Sequence, residues 1–101
     1  MNEAFKWYKK AAEQGHASAQ CSVGICYETG NGTAKDLSAA YQWYKKSADL
    51  GNKYALRNLG LCYEFGRGVA INYSTALSFY YKALEKGHES VNTDIERCRK
   101  K

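Results

Sequence analysis

Apolar and small residues recur along the chain at helical spacing. Ala4, Trp7, Tyr8, Ala11 and Ala12 fall at i, i+3, i+4, i+7 and i+8, and Ala40, Trp43, Tyr44, Ser47 and Ala48 repeat that order. Each set forms one stripe of an amphipathic helix, with lysines over much of the opposite side. A second kind of helix carries Ala19, Val23, Cys26 and Tyr27, echoed by Ala55, Leu59, Cys62 and Tyr63. We term the second kind type A and the lysine-flanked kind type B. Type B is expected to start at Asp36 or Asn72, whose side-chain oxygen can accept from the unpaired amides of a first turn. It should stop at Gly51 or Gly87, where left-handed backbone costs least, and type A follows at once. The turn-rich stretches are 30–35 and 66–71, and no proline interrupts the helices.

Both helix types return with a period of 36 residues. Trp7-Tyr8-Lys9-Lys10 reappears as Trp43-Tyr44-Lys45-Lys46 and, altered, as Phe79-Tyr80-Tyr81-Lys82. Gly15, Gly51 and Gly87 keep the same interval, as do Gly24-Ile25-Cys26-Tyr27-Glu28 and Gly60-Leu61-Cys62-Tyr63-Glu64. Such a period is the signature of a solenoid, whose units bury their apolar faces against one another. Gly60 recurs in mid-helix although glycine there costs about 1 kcal/mol against alanine, which implies that type B packs too closely at that point to admit a side chain. The expected fold is an all-α, right-handed α/α solenoid of about six helices. One domain over 1–101 is divided into an unpaired type B helix (2–15), two repeats (17–51 and 53–87) and a C-terminal capping helix (89–101). That last helix keeps inward residues at Val91, Ile95 and Cys98, but Glu96 replaces Gly24 and Gly60, and Arg99 replaces Tyr27 and Tyr63. A polar end of this kind suits a cap.

The pattern Ala17-x-Ala19-Gln20-x-x-x-Gly24-x-x-Tyr27-x-x-Gly30-x-Gly32, followed by Ala40-x-x-Trp43-Tyr44-x-Lys46-x-Ala48-x-x-Gly51, resembles the Sel-one-like repeat (SLR) family, a relative of the tetratricopeptide class. The resemblance covers nearly the whole chain. It implies an α/α solenoid that serves as a protein-interaction scaffold. Cysteine-rich bacterial members bridge their helices from positions that here hold Ala48 and Leu56, so the resemblance implies that this disulfide framework is absent.

Charge changes the picture little. The net charge is +5, but Arg97, Arg99, Lys100 and Lys101 supply four cations at one end, leaving 11 basic against 10 acidic residues in 1–96. No apolar run approaches the ~20 residues of a membrane span, and no leader segment is visible at the N-terminus. Cys26, Cys62 and Cys98 are equivalent in the repeat, so they should lie ~8–10 Å or more apart along the stack. That exceeds the ~7 Å a disulfide tolerates. Cys21 and Cys26 point apart on one helix. Reduced thiols are therefore expected, with Cys21 accessible and Cys26 and Cys62 buried, and with them a cytoplasmic location. His16 and His88 read as solvated turn residues, and no Cys-x-x-Cys or His-x-x-x-His spacing offers a zinc site. Gly30-x-Gly32 lacks the lysine and preceding strand of a phosphate loop, so positive φ in a turn explains it. No catalytic constellation, metal or cofactor is expected.

What remains is surface. The A helices should line a concave side along which a partner's peptide or helix lies. Alignment with the tetratricopeptide pattern assigns Ser18, Cys21, Ile25 and Glu28 to it from one unit, and Tyr54, Arg57, Leu61, Glu64 and Phe65 from the next. Tyr54 and Arg57 belong to the residue types enriched at the energetic centres of interfaces. Glu28 and Glu64 recur with the repeat, which also fits a scaffold role. The leading expectation is a non-catalytic interaction module. The alternative is a binder of nucleic acid or an acidic surface through Lys9, Lys10, Lys45, Lys46 and the basic tail, and a hydrolase is remote. Phe5, Trp7 and Tyr8, uncovered by a preceding type A helix, are expected to leave an apolar patch that supports weak homodimerisation.

Overall fold

The computed structural model describes residues 2–101, leaving Met1 outside, and in them forms six helices without a strand. These are α1 (Asn2–Glu13), α2 (Ala17–Thr29), α3 (Leu37–Asp49), α4 (Lys53–Phe65), α5 (Tyr73–Glu85) and α6 (Val91–Arg99). Helices α1, α3 and α5 are type B, and α2, α4 and α6 are type A. The expected caps are in place: Asp36 Oδ1 accepts from the Ala39 amide at 3.0 Å and Asn72 Oδ1 from the Thr75 amide at 3.1 Å. Asn52 caps α4 in the same way, accepting from the Ala55 amide at 2.9 Å.

Each helix packs mainly on its neighbours in sequence, giving a stack of 40 × 24 × 18 Å. One core cluster joins Cys21 of α2, Ala40 and Tyr44 of α3, and Ala55, Leu59 and Cys62 of α4. The next joins Leu56 of α4, Ala76, Tyr80 and Ala83 of α5, and Val91, Ile95 and Cys98 of α6. Every cluster draws on three helices, so no helix pair closes a core by itself, which is the energetic basis of a repeat stack.

The mid-helix glycines are where the B helices approach most closely. A Cβ placed on Gly24 would lie 2.5 Å from Cε1 of Tyr44, and Gly60 stands in the same relation to Tyr80. Each tyrosine then reaches along the A helix to the carboxylate four residues on: Tyr44 donates to Glu28 Oε1 at 2.6 Å and Tyr80 to Glu64 Oε1 at 2.7 Å. In the loop after α4, Gly68 (φ 77°) presses on the start of α3, where a side chain would meet the Leu37 carbonyl carbon at 2.9 Å and Ser38 Cα at 3.2 Å.

The N-terminal stripe is covered on one side. Ala12 is buried and Phe5 packs edge-on against Tyr27 at 5.5 Å between ring centroids. This corrects the expectation for Phe5, whose ring covers the end of α2 instead of lying open. Trp7 and Tyr8 do stay open, at 69% and 44% exposure.

Candidate partner groove between α2 and α4

Residues three and four apart share a helix face. Ser18, Cys21, Ser22 and Ile25 therefore form one wall of a groove on α2, and Tyr54, Arg57 and Asn58 form the facing wall on α4, with Asn52 and His88 closing the turn end. The cleft holds about 410 Å³. Ile25 and Tyr54 expose apolar surface to it. Tyr54 meets the His88 ring edge-on at 5.0 Å and carries Lys53 Nζ 5.4 Å from its centroid. His88 is thus a partly buried wall residue, which corrects its reading as a solvated turn histidine. Burial, with the cations of Arg57 and Lys53, lowers its pKa from 6.5. Its Nδ1 lies 3.0 Å from the Ser90 hydroxyl, which holds the ring in place.

Of the nine expected interface residues, Ser18, Cys21, Ile25, Tyr54 and Arg57 line this groove, and four do not. Cys21 belongs to its floor and is 5% exposed, because Asn58 of α4 closes over it and donates to its sulfur at 3.5 Å. Its expected accessibility is corrected accordingly. Arg57 is half-exposed, and its Nε donates to the buried Asp94 Oδ2 of α6 at 2.6 Å. Asp94 holds the guanidinium firmly charged.

Glu64 is the clearest correction. It is 1% exposed and binds Arg97 at 2.8 Å, Lys101 at 3.6 Å and the Tyr80 hydroxyl, so it anchors α6 instead of facing a partner. Arg97, then Tyr80, hold its carboxyl below the usual range despite burial. Glu28 is partly buried and tied to Tyr44 and, at 3.2 Å, to Arg67. Leu61 packs against the core of α5 and α6. Phe65 is exposed away from the groove, with Arg67, Arg97 and Lys101 at 5.3, 5.3 and 5.0 Å from its ring. Sequence reasoning missed Ser22, Asn52, Asn58 and His88. Ser22 and Asn58 stand four residues after Ser18 and Tyr54, and the i+4 member of each face was the signal.

The four cysteines are free and buried. Among the described residues no group of three or more His, Cys, Asp or Glu side chains could hold a metal ion, and no helix is long and apolar enough to cross a membrane. Two of the basic residues considered for nucleic acid stand over aromatic rings of their own helices, Lys46 at 4.5 Å from Trp43 and Lys9 at 6.0 Å from Phe5.

This architecture has close counterparts. The model of the Sel1 repeat matches residues 1–16, 17–52 and 53–88. A Sel1 repeat protein from Oxalobacter formigenes superposes with a TM-score of 0.88 at 39% identity, over 93% of this chain and 38% of its own. Cysteine-rich protein B of Helicobacter pylori superposes with a TM-score of 0.84 at 30% identity, over 90% of this chain and 68% of its own. A 37-residue stretch is 51% identical to the "DAP3-binding cell death enhancer 1" of rat and mouse, covering 37% of this chain and 7% of those relatives. With all but the last 13 residues accounted for by three matches, this chain belongs to the Sel1 repeat family.

Proposed function

We propose that this chain is a non-catalytic protein-interaction module that binds a peptide or helix of a partner protein in the groove between α2 and α4. The observation that carries it is the groove wall itself. Ile25 and Tyr54 present exposed apolar surface on the two facing walls beside the polar side chains of Ser22 and Asn58, and the neighbouring Arg57 is held in one orientation by Asp94. Apolar anchors beside oriented donors are what a bound segment needs, the first for affinity and the second for register. Family membership supports the reading, since Sel1 repeat proteins are generally interaction scaffolds. So does the rat and mouse relative named for binding another protein.

Tyr54→Ala and Ile25→Glu test it, because both side chains are exposed and neither holds the core. Arg57→Ala is a poorer probe, since it strips a buried carboxylate of a partner. In affinity capture, a protein retained by the intact chain at high salt should be lost with either variant, while the helical circular dichroism stays unchanged. Capture that survives both substitutions, or that disappears with salt alone, would refute the groove.

A further inference from the structure

We propose that the partner segment bound between α2 and α4 carries a carboxylate side chain, an aspartate or glutamate, that seats on the outer edge of the Arg57 guanidinium. The inference rests on the groove being the binding site and adds the chemistry of its occupant. Asp94 uses only one edge of Arg57: Nε donates to Oδ2 at 2.6 Å and Nη2 to Oδ1 at 3.4 Å. A guanidinium is a planar fork of five N–H donors. The edge formed by Nη1 and Nη2 is therefore still able to donate, and Nη1 has no partner among the described residues. Arg57 lines the groove with its side chain 38% exposed.

Charge selects the match. No aspartate or glutamate lines the groove, and Lys53 adds a second cation beside the Tyr54 ring at 5.4 Å. Asp94 does not neutralise this wall, because it is 2% exposed and also accepts from Arg97 at 2.9 Å. In the linked cluster three cations, Arg57, Arg97 and Lys101, meet two carboxylates, Asp94 and Glu64, which leaves one positive charge over. Desolvation points the same way. A segment with no acceptor at Arg57 would strip water from charged donors, whereas a carboxylate matches two parallel N–H groups. Because Asp94 already fixes the guanidinium, little side-chain freedom is lost on pairing. Ile25 and Tyr54 supply apolar contact beside it, so affinity does not rest on charge alone.

The probe is a phage-displayed library of random dodecapeptides, panned on the full chain after depletion on a Tyr54→Ala chain. Groove-dependent sequences should share an aspartate or glutamate at a fixed distance from an aliphatic or aromatic residue. Changing that acid to its amide in a synthetic copy of a selected peptide should weaken binding by about tenfold or more, read by calorimetry. On an Arg57→Lys chain, which keeps a cation for Asp94 but lacks the second edge, acid and amide peptides should bind within about threefold of each other. Groove-dependent peptides without a shared acid, an amide that binds equally, or a difference retained in full by Arg57→Lys would each overturn the carboxylate assignment and leave the groove standing. Failure to enrich any peptide that Tyr54→Ala loses would overturn both.

Discussion

Gly60 and Tyr80 share one space. A Cβ on the glycine would lie 2.5 Å from Cδ1 and 2.9 Å from Cζ of the tyrosine ring, and the ring cannot retreat because its hydroxyl is fixed to Glu64 at 2.7 Å. Two effects compete in Gly60→Ala: a gain of about 1 kcal/mol in helix propensity, and an overpacking cost of about 1–3 kcal/mol. The pinned, fully buried ring tips the balance toward cost. We expect Gly60→Ala to lower the melting temperature by ~5–10 °C and Gly60→Leu to lower it much further. A melt unchanged by alanine would show that the ring has room to move.

Much of this relation was legible in the sequence. A glycine returning in mid-helix at positions 24 and 60 signals close packing, and the caps at Asp36 and Asn72 follow from side-chain chemistry alone. The ring that fills the space was not legible, because periodicity places a residue on a face without saying which neighbour meets it. Glu64 shows the limit. It shares the face of Gly60 one turn earlier and meets Tyr80 as Glu28 meets Tyr44, and Arg97 of α6 and Lys101 just beyond that helix then close over it. Cys21 fails for a related reason, since Asn58 shields it from the next unit. Side-chain partners across units are set by particular residues, and a repeat pattern averages those away.

The thiols should be inert in the folded chain. All four are buried, and burial raises the pKa of each, that of Cys62 to about 12. Because the thiolate is the reactive species, a disulfide-exchange reagent near pH 8 should label none rapidly in the native state and four after denaturation. Prompt labelling of Cys21 would show that Asn58 opens away from α2.

Glu64 should make stability depend on acid. Its folded-state pKa lies below the ordinary 4.5, so the unfolded chain takes up the proton first. The contribution is full above about pH 4.5 and drains as pH falls through the folded value. Glu64→Gln should cost about 2 kcal/mol at neutral pH and flatten the decline of the urea midpoint between about pH 4.5 and 2. An equally steep decline in the variant would assign the acid response to other carboxylates.

Gln20 marks a site where the chain can be improved. It is 6% exposed between α1 and α2; its Nε2 donates to the Ala12 carbonyl at 3.1 Å, but its Oε1 has no hydrogen-bond partner among the described residues. The Ala12 carbonyl also accepts from the Gly15 amide at 3.0 Å, so it stays satisfied if the glutamine is removed. One period later the repeat places Leu56, 5% exposed, at the equivalent position. Leucine is close in size to glutamine, and it removes both the bond and the unpaired oxygen. A buried acceptor without a partner costs about 1–3 kcal/mol, whereas an ordinary bond contributes about 1 kcal/mol, so the balance favours the apolar residue. Gln20→Leu is expected to stabilise the fold by about 1 kcal/mol, read as a higher urea midpoint with an unchanged slope. A lower midpoint would show that the bond to Ala12 holds α1 on α2 more strongly than the unpaired oxygen opposes it.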